Sequence, residues 1–138
     1  MWSGWIKTPK LVDLEDHNLV LVDSPTRWMG VYRSMQAQFV NDGLKISDTN
    51  AEDVRFFTAT FIPKRLNNFI CDEQFTNDQS IWGIALQKDK AIVFLKSALF
   101  MLSSSRVEQL VRHECTHLII GHGGHDTRYF NVKYNNVW

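Results

Sequence analysis

An α+β fold, with a small and mostly antiparallel sheet, one scaffold helix and one helix bearing paired histidines, is predicted by three features of the sequence. His113-Glu114-Cys115-Thr116-His117 places two histidines four residues apart, inside a stretch where Val107, Leu110, Val111, Leu118 and Ile119 recur at helical spacing. Residues 25–42 carry a second helical pattern, with Trp28, Val31 or Tyr32, Met35 and Phe39 on one side. Between them, residues 54–62, 81–86 and 91–95 are runs of apolar, aromatic and β-branched residues bounded by turn signals, which is how short strands read.

Taken in order, the chain begins with Trp2, Trp5 and Ile6, which suit a packed N-terminal arm. The acidic stretch Asp13-Leu14-Glu15-Asp16 follows, and Leu19-Val20-Leu21-Val22 reads as a short buried strand. Ser24-Pro25 has the form of a helix start, a cap residue and then a proline at the first helical position. Asn41-Asp42-Gly43 ends that helix. After polar turn residues up to Asp53, the strand over 54–62 is closed by Pro63; Asn67-Asn68 marks a turn before a further strand at 69–75, and 77–80 is a loop. Residues 81–86 and 91–95 form a hairpin around Gln87-Lys88-Asp89-Lys90. Ser105-x-x-Glu108 has the spacing of a capping box and would start the histidine helix, while Gly121 suits the left-handed position that ends it.

Composition bounds the rest. With 138 residues, 44% apolar and 22% charged, the chain is expected to fold as a single domain over residues 1–138. No apolar run is long enough to span a bilayer, and Met1-Trp2-Ser3-Gly4-Trp5 lacks the basic start and apolar core of a signal peptide, so a cytoplasmic location without membrane contact is expected. Fifteen basic residues balance fifteen acidic ones, which lowers the expectation of direct nucleic-acid binding. Cys71 and Cys115 are too few for a disulfide framework or a four-cysteine zinc ribbon, and Cys115 falls on the helix side opposite the histidines, as a buried free thiol would.

The chemistry lies in the histidine helix. Two imidazoles one turn apart can grip one Zn²⁺, and the glutamate beside the first, Glu114, is placed to take a proton from a water whose pKa the metal has lowered. A hydrolytic zinc site needs a third protein ligand and an open position. No glutamate follows Glu114, and no methionine follows to make a Met-turn, so two known ways of completing such a site are excluded. His122, His125 and Asp126 remain. His122 comes one residue after the glycine cap and has little chain with which to swing back; His125 has Gly123-Gly124 behind it and is preferred, with Asp126 third.

Trp82-Gly83-Ile84-Ala85, then Ala91-Ile92-Val93-Phe94-Leu95, then Leu110-Val111-Arg112-His113-Glu114-x-x-His117 resemble a SprT-like (Spartan-type) zinc metallopeptidase domain of the zincin superfamily, over roughly residues 80–130. In that family a glycine-containing strand and a second strand precede the metal helix, and an aromatic stands four residues after the third histidine. Tyr129 stands so to His125, whereas Asp126 stands so to His122. Two departures are Asp126 itself, where the family often has glycine, and the absence of a following cysteine-rich ribbon.

The resemblance implies a compact zincin-like fold and a zinc metalloprotease acting on a protein or peptide substrate. It raises a DNA-associated role that the charge balance lowers. Together the readings give His113, His117 and His125 as metal ligands and Glu114 as the catalytic base. A closed structural zinc site using both His122 and His125 is the non-enzymatic alternative, and the oligomeric state is left open. Arg128, Tyr129, Lys133 and Tyr134 come next in the chain as residues able to stabilise an oxyanion or simply to pack the helix in place.

Overall fold

Four short strands, β1 (Val20–Leu21), β2 (Arg55–Ala59), β3 (Gly83–Leu86) and β4 (Ala91–Leu95), and three helices, α1 (Thr26–Asn41), α2 (Lys96–Met101) and α3 (Ser104–Ile120), make up the regular part of the computed structural model. It describes residues 9–66 and 80–136. Trp2, Trp5 and Ile6, the turn at 67–68, the strand expected at 69–75 with Cys71, and most of the 77–80 loop lie outside the described residues.

The strands form one sheet in the order β1-β2-β4-β3. β1 and β2 are antiparallel, as are β3 and β4, but the central pair β2 and β4 is parallel, with Phe57 opposite Val93. The sheet is therefore mixed: two of its three pairings are antiparallel, as expected, and the central one is parallel. The hairpin places β3 on the outer side of β4, so β4 meets β2 running the same way.

β4 is buried at every position because both sheet faces are covered. Ile92 and Phe94 join Phe56 on one face, under α1 and α3; Ala91, Val93 and Leu95 join Phe57, Ala59, Ile84 and Leu86 on the other, against Leu14, Ile62 and Leu66. This is the two-residue period of a strand dividing its side chains between two clusters. Trp28 of α1 packs edge-on against Phe94 at 4.9 Å between ring centres, and Tyr32, Met35 and Phe39 complete the face of α1 that the sequence marked.

Three local expectations are corrected. Val20 and Leu21 were read as buried but are 57% and 51% exposed, since β1 is an edge strand. Pro25 itself, not Ser24, holds the cap position of α1, which begins at Thr26. Ser103, not Ser105, caps α3: its hydroxyl accepts a hydrogen bond from the Arg106 backbone at 3.3 Å, while Glu108 pairs with Arg112 one turn on. Gly121 ends α3 in the left-handed conformation, φ 82°, as expected, and its N–H reaches the His117 carbonyl. Cys115 is fully buried and unbonded to any other cysteine. Among the described residues no helix is long and apolar enough to cross a membrane.

The corrected cap gives a direct comparison. Ser103→Ala should lower stability by about 1 kcal/mol in urea unfolding, as loss of an N-cap does, whereas Ser105→Ala should stay within about 0.5 kcal/mol of the parent.

Candidate metal centre

β3 is the sheet edge nearest α3, and its face towards that helix carries only Gly83 and Ala85. A Cβ on Gly83 would lie 3.2 Å from Glu114 Cγ and 3.3 Å from Leu110 Cδ1, so the missing side chain is what admits the glutamate beneath the strand. The hairpin turn is tied to the same helix, for Gln87 Nε2 donates to the His117 carbonyl at 2.7 Å. A cleft of about 360 Å³ results, walled by β3 on one side and by His113, Glu114, His117 and His125 on the other.

The left-handed turn at Gly121 sends the chain back over its own helix. It brings His125 Nε2 to 3.2 Å from His113 Nε2, and His113 Nε2 lies 3.3 Å from His117 Nε2. Phe130 packs over all three rings, 4.8 Å from His113 and His117 and 5.2 Å from His125. His113 and His117 are buried, and His125 is exposed at the rim. Asp126 is outside the group; Arg128 bonds it and holds its carboxyl at about 2.

His122 serves differently from either earlier reading. It lines the cleft but stays outside the converging group: its ring accepts a hydrogen bond from the Gly124 N–H at 3.0 Å, while its backbone carbonyl lies 3.3 Å from His117 Nδ1. A carbonyl only accepts, so His117 carries its proton on Nδ1 and points the bare Nε2 lone pair inward.

This donor set suits a metal. Two nitrogens each about 2.0–2.1 Å from a zinc ion at the tetrahedral angle lie about 3.3 Å apart, which is the spacing of the histidine nitrogens here. Three imidazoles can thus hold one metal ion. The rings are also kept neutral, as ligands must be: burial, with the neighbouring His117 and His125, pushes His113 down to about 2, and burial chiefly takes His117 to about 4. Burial acts oppositely on a carboxyl and raises Glu114 to about 8.

None of the four polar residues after the motif turns into the cleft. Tyr129 donates to the Lys45 carbonyl, Tyr134 and Lys133 both bond Asp42, and Arg128 bonds Asp126. Gln87 and the His122 carbonyl were not foreseen; both contacts run through a backbone carbonyl, which every residue possesses. No family profile, curated protein or solved structure matches the chain.

Two measurements follow from this geometry. His125→Ala should lose bound metal, whereas His122→Ala, which keeps the carbonyl, should retain it; metal content after gel filtration distinguishes them. In chelator-treated protein, His113 and His117 bind protons in the unfolded chain near pH 6.5 but resist them when folded, so stability falls as pH drops below that value. Glu114 works the other way, holding a proton in the fold up to about 8 against an ordinary 4.5. Between those ordinary values the protons refused by His113, His117 and the likewise lowered His125 outweigh the one held by the carboxyl, so stability rises with pH; above 6.5 the carboxyl acts alone with the opposite slope. Metal-free protein should therefore be most stable near pH 6.5, and Glu114→Gln should flatten the alkaline limb of the urea-midpoint profile.

Proposed function

We propose that this chain is a zinc-dependent hydrolase of peptide bonds, with His113, His117 and His125 as ligands and Glu114 as general base. The observation that carries the reading is the convergence of three imidazole nitrogens beside a buried carboxylate, at the edge of a sheet. Zinc bound there supplies a Lewis acid for the scissile carbonyl and lowers the pKa of water towards neutrality. Glu114 contributes the proton transfer: it lines the cleft next to His113, and Gly83 above it keeps the carboxylate at the cleft wall. A general base works best near the operating pH, and burial raises this carboxyl towards that range while a neighbouring cation would draw it down.

β3 contributes orientation. Among the described residues its outer edge has no strand partner, and Gly83, Ile84 and Ala85 border the cleft. An extended peptide paired along that edge would be held through backbone hydrogen bonds, with little demand on its sequence. The closed four-histidine alternative finds no support, because the His122 ring is bonded to the Gly124 N–H and is not among the converging nitrogens. The SprT-like resemblance agrees with this reading but rests on the motif and its flanking strands alone.

Zinc-loaded protein should cleave an unfolded, internally quenched protein substrate. Glu114→Gln should keep one zinc per chain and lose activity by about 10²–10⁴-fold, the usual worth of a positioned general base. Failure to retain zinc after it has been offered would remove the site altogether; loss of zinc from Glu114→Gln would make that residue a structural partner instead.

A further inference from the structure

We propose that His122 is a further catalytic residue of this site, donating a hydrogen bond from its Nε2–H to the carbonyl oxygen of the scissile amide as that oxygen becomes an oxyanion. This rests on the hydrolase reading above and not on His122 holding any metal. The residue lines the cleft beside Gly121 and Gly123 and is exposed at its rim. It is held at two points, for its backbone carbonyl lies 3.3 Å from His117 Nδ1 and its own Nδ1 accepts from the Gly124 N–H at 3.0 Å. An N–H only donates, so Nδ1 is bare and the ring carries its proton on Nε2. Among the described residues that Nε2–H has no hydrogen-bond partner, which leaves an oriented donor at the edge of the cleft.

Gly124 gives this ring its seat. Unlike Gly121, it has no positive φ, so its backbone conformation is one that other residues adopt. A Cβ there would lie 3.1 Å from His122 Nδ1 and 3.2 Å from Cε1, closer than ordinary contact. The missing side chain therefore admits the imidazole against the turn and lets it take the backbone N–H. Gly83 does the same for Glu114 at the wall of the same cleft.

Few donors are placed to meet a developing negative charge. Arg128, Tyr129, Lys133 and Tyr134 are bonded elsewhere, and the Gln87 amide is committed to the His117 carbonyl. Apart from the three proposed ligands, the cationic or N–H-bearing side chains that remain along the described cleft are Lys88 and His122. Lys88 is exposed and ends a flexible stem, whereas the imidazole is fixed before substrate arrives, and a preorganised donor costs no rearrangement as charge develops. Water adds to the carbonyl carbon as Glu114 takes its proton, and the C=O π pair moves onto the oxygen that the Nε2–H holds. Collapse restores the C=O bond and breaks the C–N bond, and the departing amine takes the proton from Glu114. His122 keeps its own proton throughout.

Turnover of the quenched protein substrate by zinc-loaded variants, together with metal content and calorimetric affinity for a phosphinic peptide whose anionic oxygens copy the oxyanion, tests this. His122→Ala should keep its zinc and lower kcat by about 10²–10³-fold, the worth of one oxyanion donor, with KM near that of the parent because the bond strengthens in the transition state. It should bind the phosphinic peptide more weakly by a similar factor, which a merely structural residue would not produce. His122→Gln, which keeps a donor, should recover part of both. Gly124→Ala, which crowds the ring off its seat, should lower kcat in the same direction with zinc retained, and Lys88→Met should behave as the parent. Parent-like kcat and analogue affinity in His122→Ala, loss of its zinc, or an equal loss of kcat in Lys88→Met overturns the assignment; should His122→Ala fail to fold, parent-like kcat in Gly124→Ala does the same. A parent protein that holds zinc but neither cleaves the substrate nor binds the analogue overturns the hydrolase reading itself, and is thereby distinguished from failure of His122 alone.

Discussion

Three imidazole nitrogens turned towards one another are the constraint on which this structure depends. The His117 proton is committed to a backbone carbonyl, and the inner nitrogens of His113 and His117 face each other at 3.3 Å. Such a cluster repels itself in a buried, low-dielectric setting unless a cation sits among the nitrogens. Much of the surrounding architecture can be understood as holding it together: the turn at Gly121 returns His125, Phe130 covers the rings, and the last described residues close the rear of the helix. Metal binding and folding are therefore linked, and a bound ion would stabilise the fold as well as any reaction.

The sheet meets this need by being thin at one place. β3 carries large residues, Ile84 and Leu86, on the face away from α3, and only Gly83 and Ala85 on the face towards it. The helix can approach closely, yet the glutamate still has room to lie under the strand. Gln87 then secures the hairpin to the end of the helix through the carbonyl of a ligand residue. Strand edge, Glu114 and the two helical histidines are thus linked by short contacts on rigid elements, which fixes their relative positions better than loops would.

Side-chain pattern was legible in the sequence, and backbone geometry was much less so. The period of α1, the hairpin, the left-handed stop at Gly121 and the preference for His125 over His122 all came from residue types whose placement has a steric reason. The start of α3 was misplaced by two residues because Ser103 and Ser105 are equally good caps locally, and tertiary packing selects between them. The exposure of Val20 and Leu21 and the parallel pairing of β2 with β4 depend on sheet order, which no local pattern encodes. The carbonyls of the outer shell are invisible to sequence reading, since every residue supplies one.

Cys115 lies between the two helical ligands in sequence, yet it is fully buried on the opposite side, and burial raises its thiol well above the usual range. A thiolate is the softest donor a protein can offer, and one swung into this cluster would draw cuprous or cadmium ions in preference to zinc. The turn of the helix prevents that. By directing the sulfur into the apolar core, the fold leaves only nitrogens in the cluster, so a metal held there would meet no thiolate, and exposure of the group to thiophilic ions and to sulfur oxidation would be set by which way one residue of α3 faces.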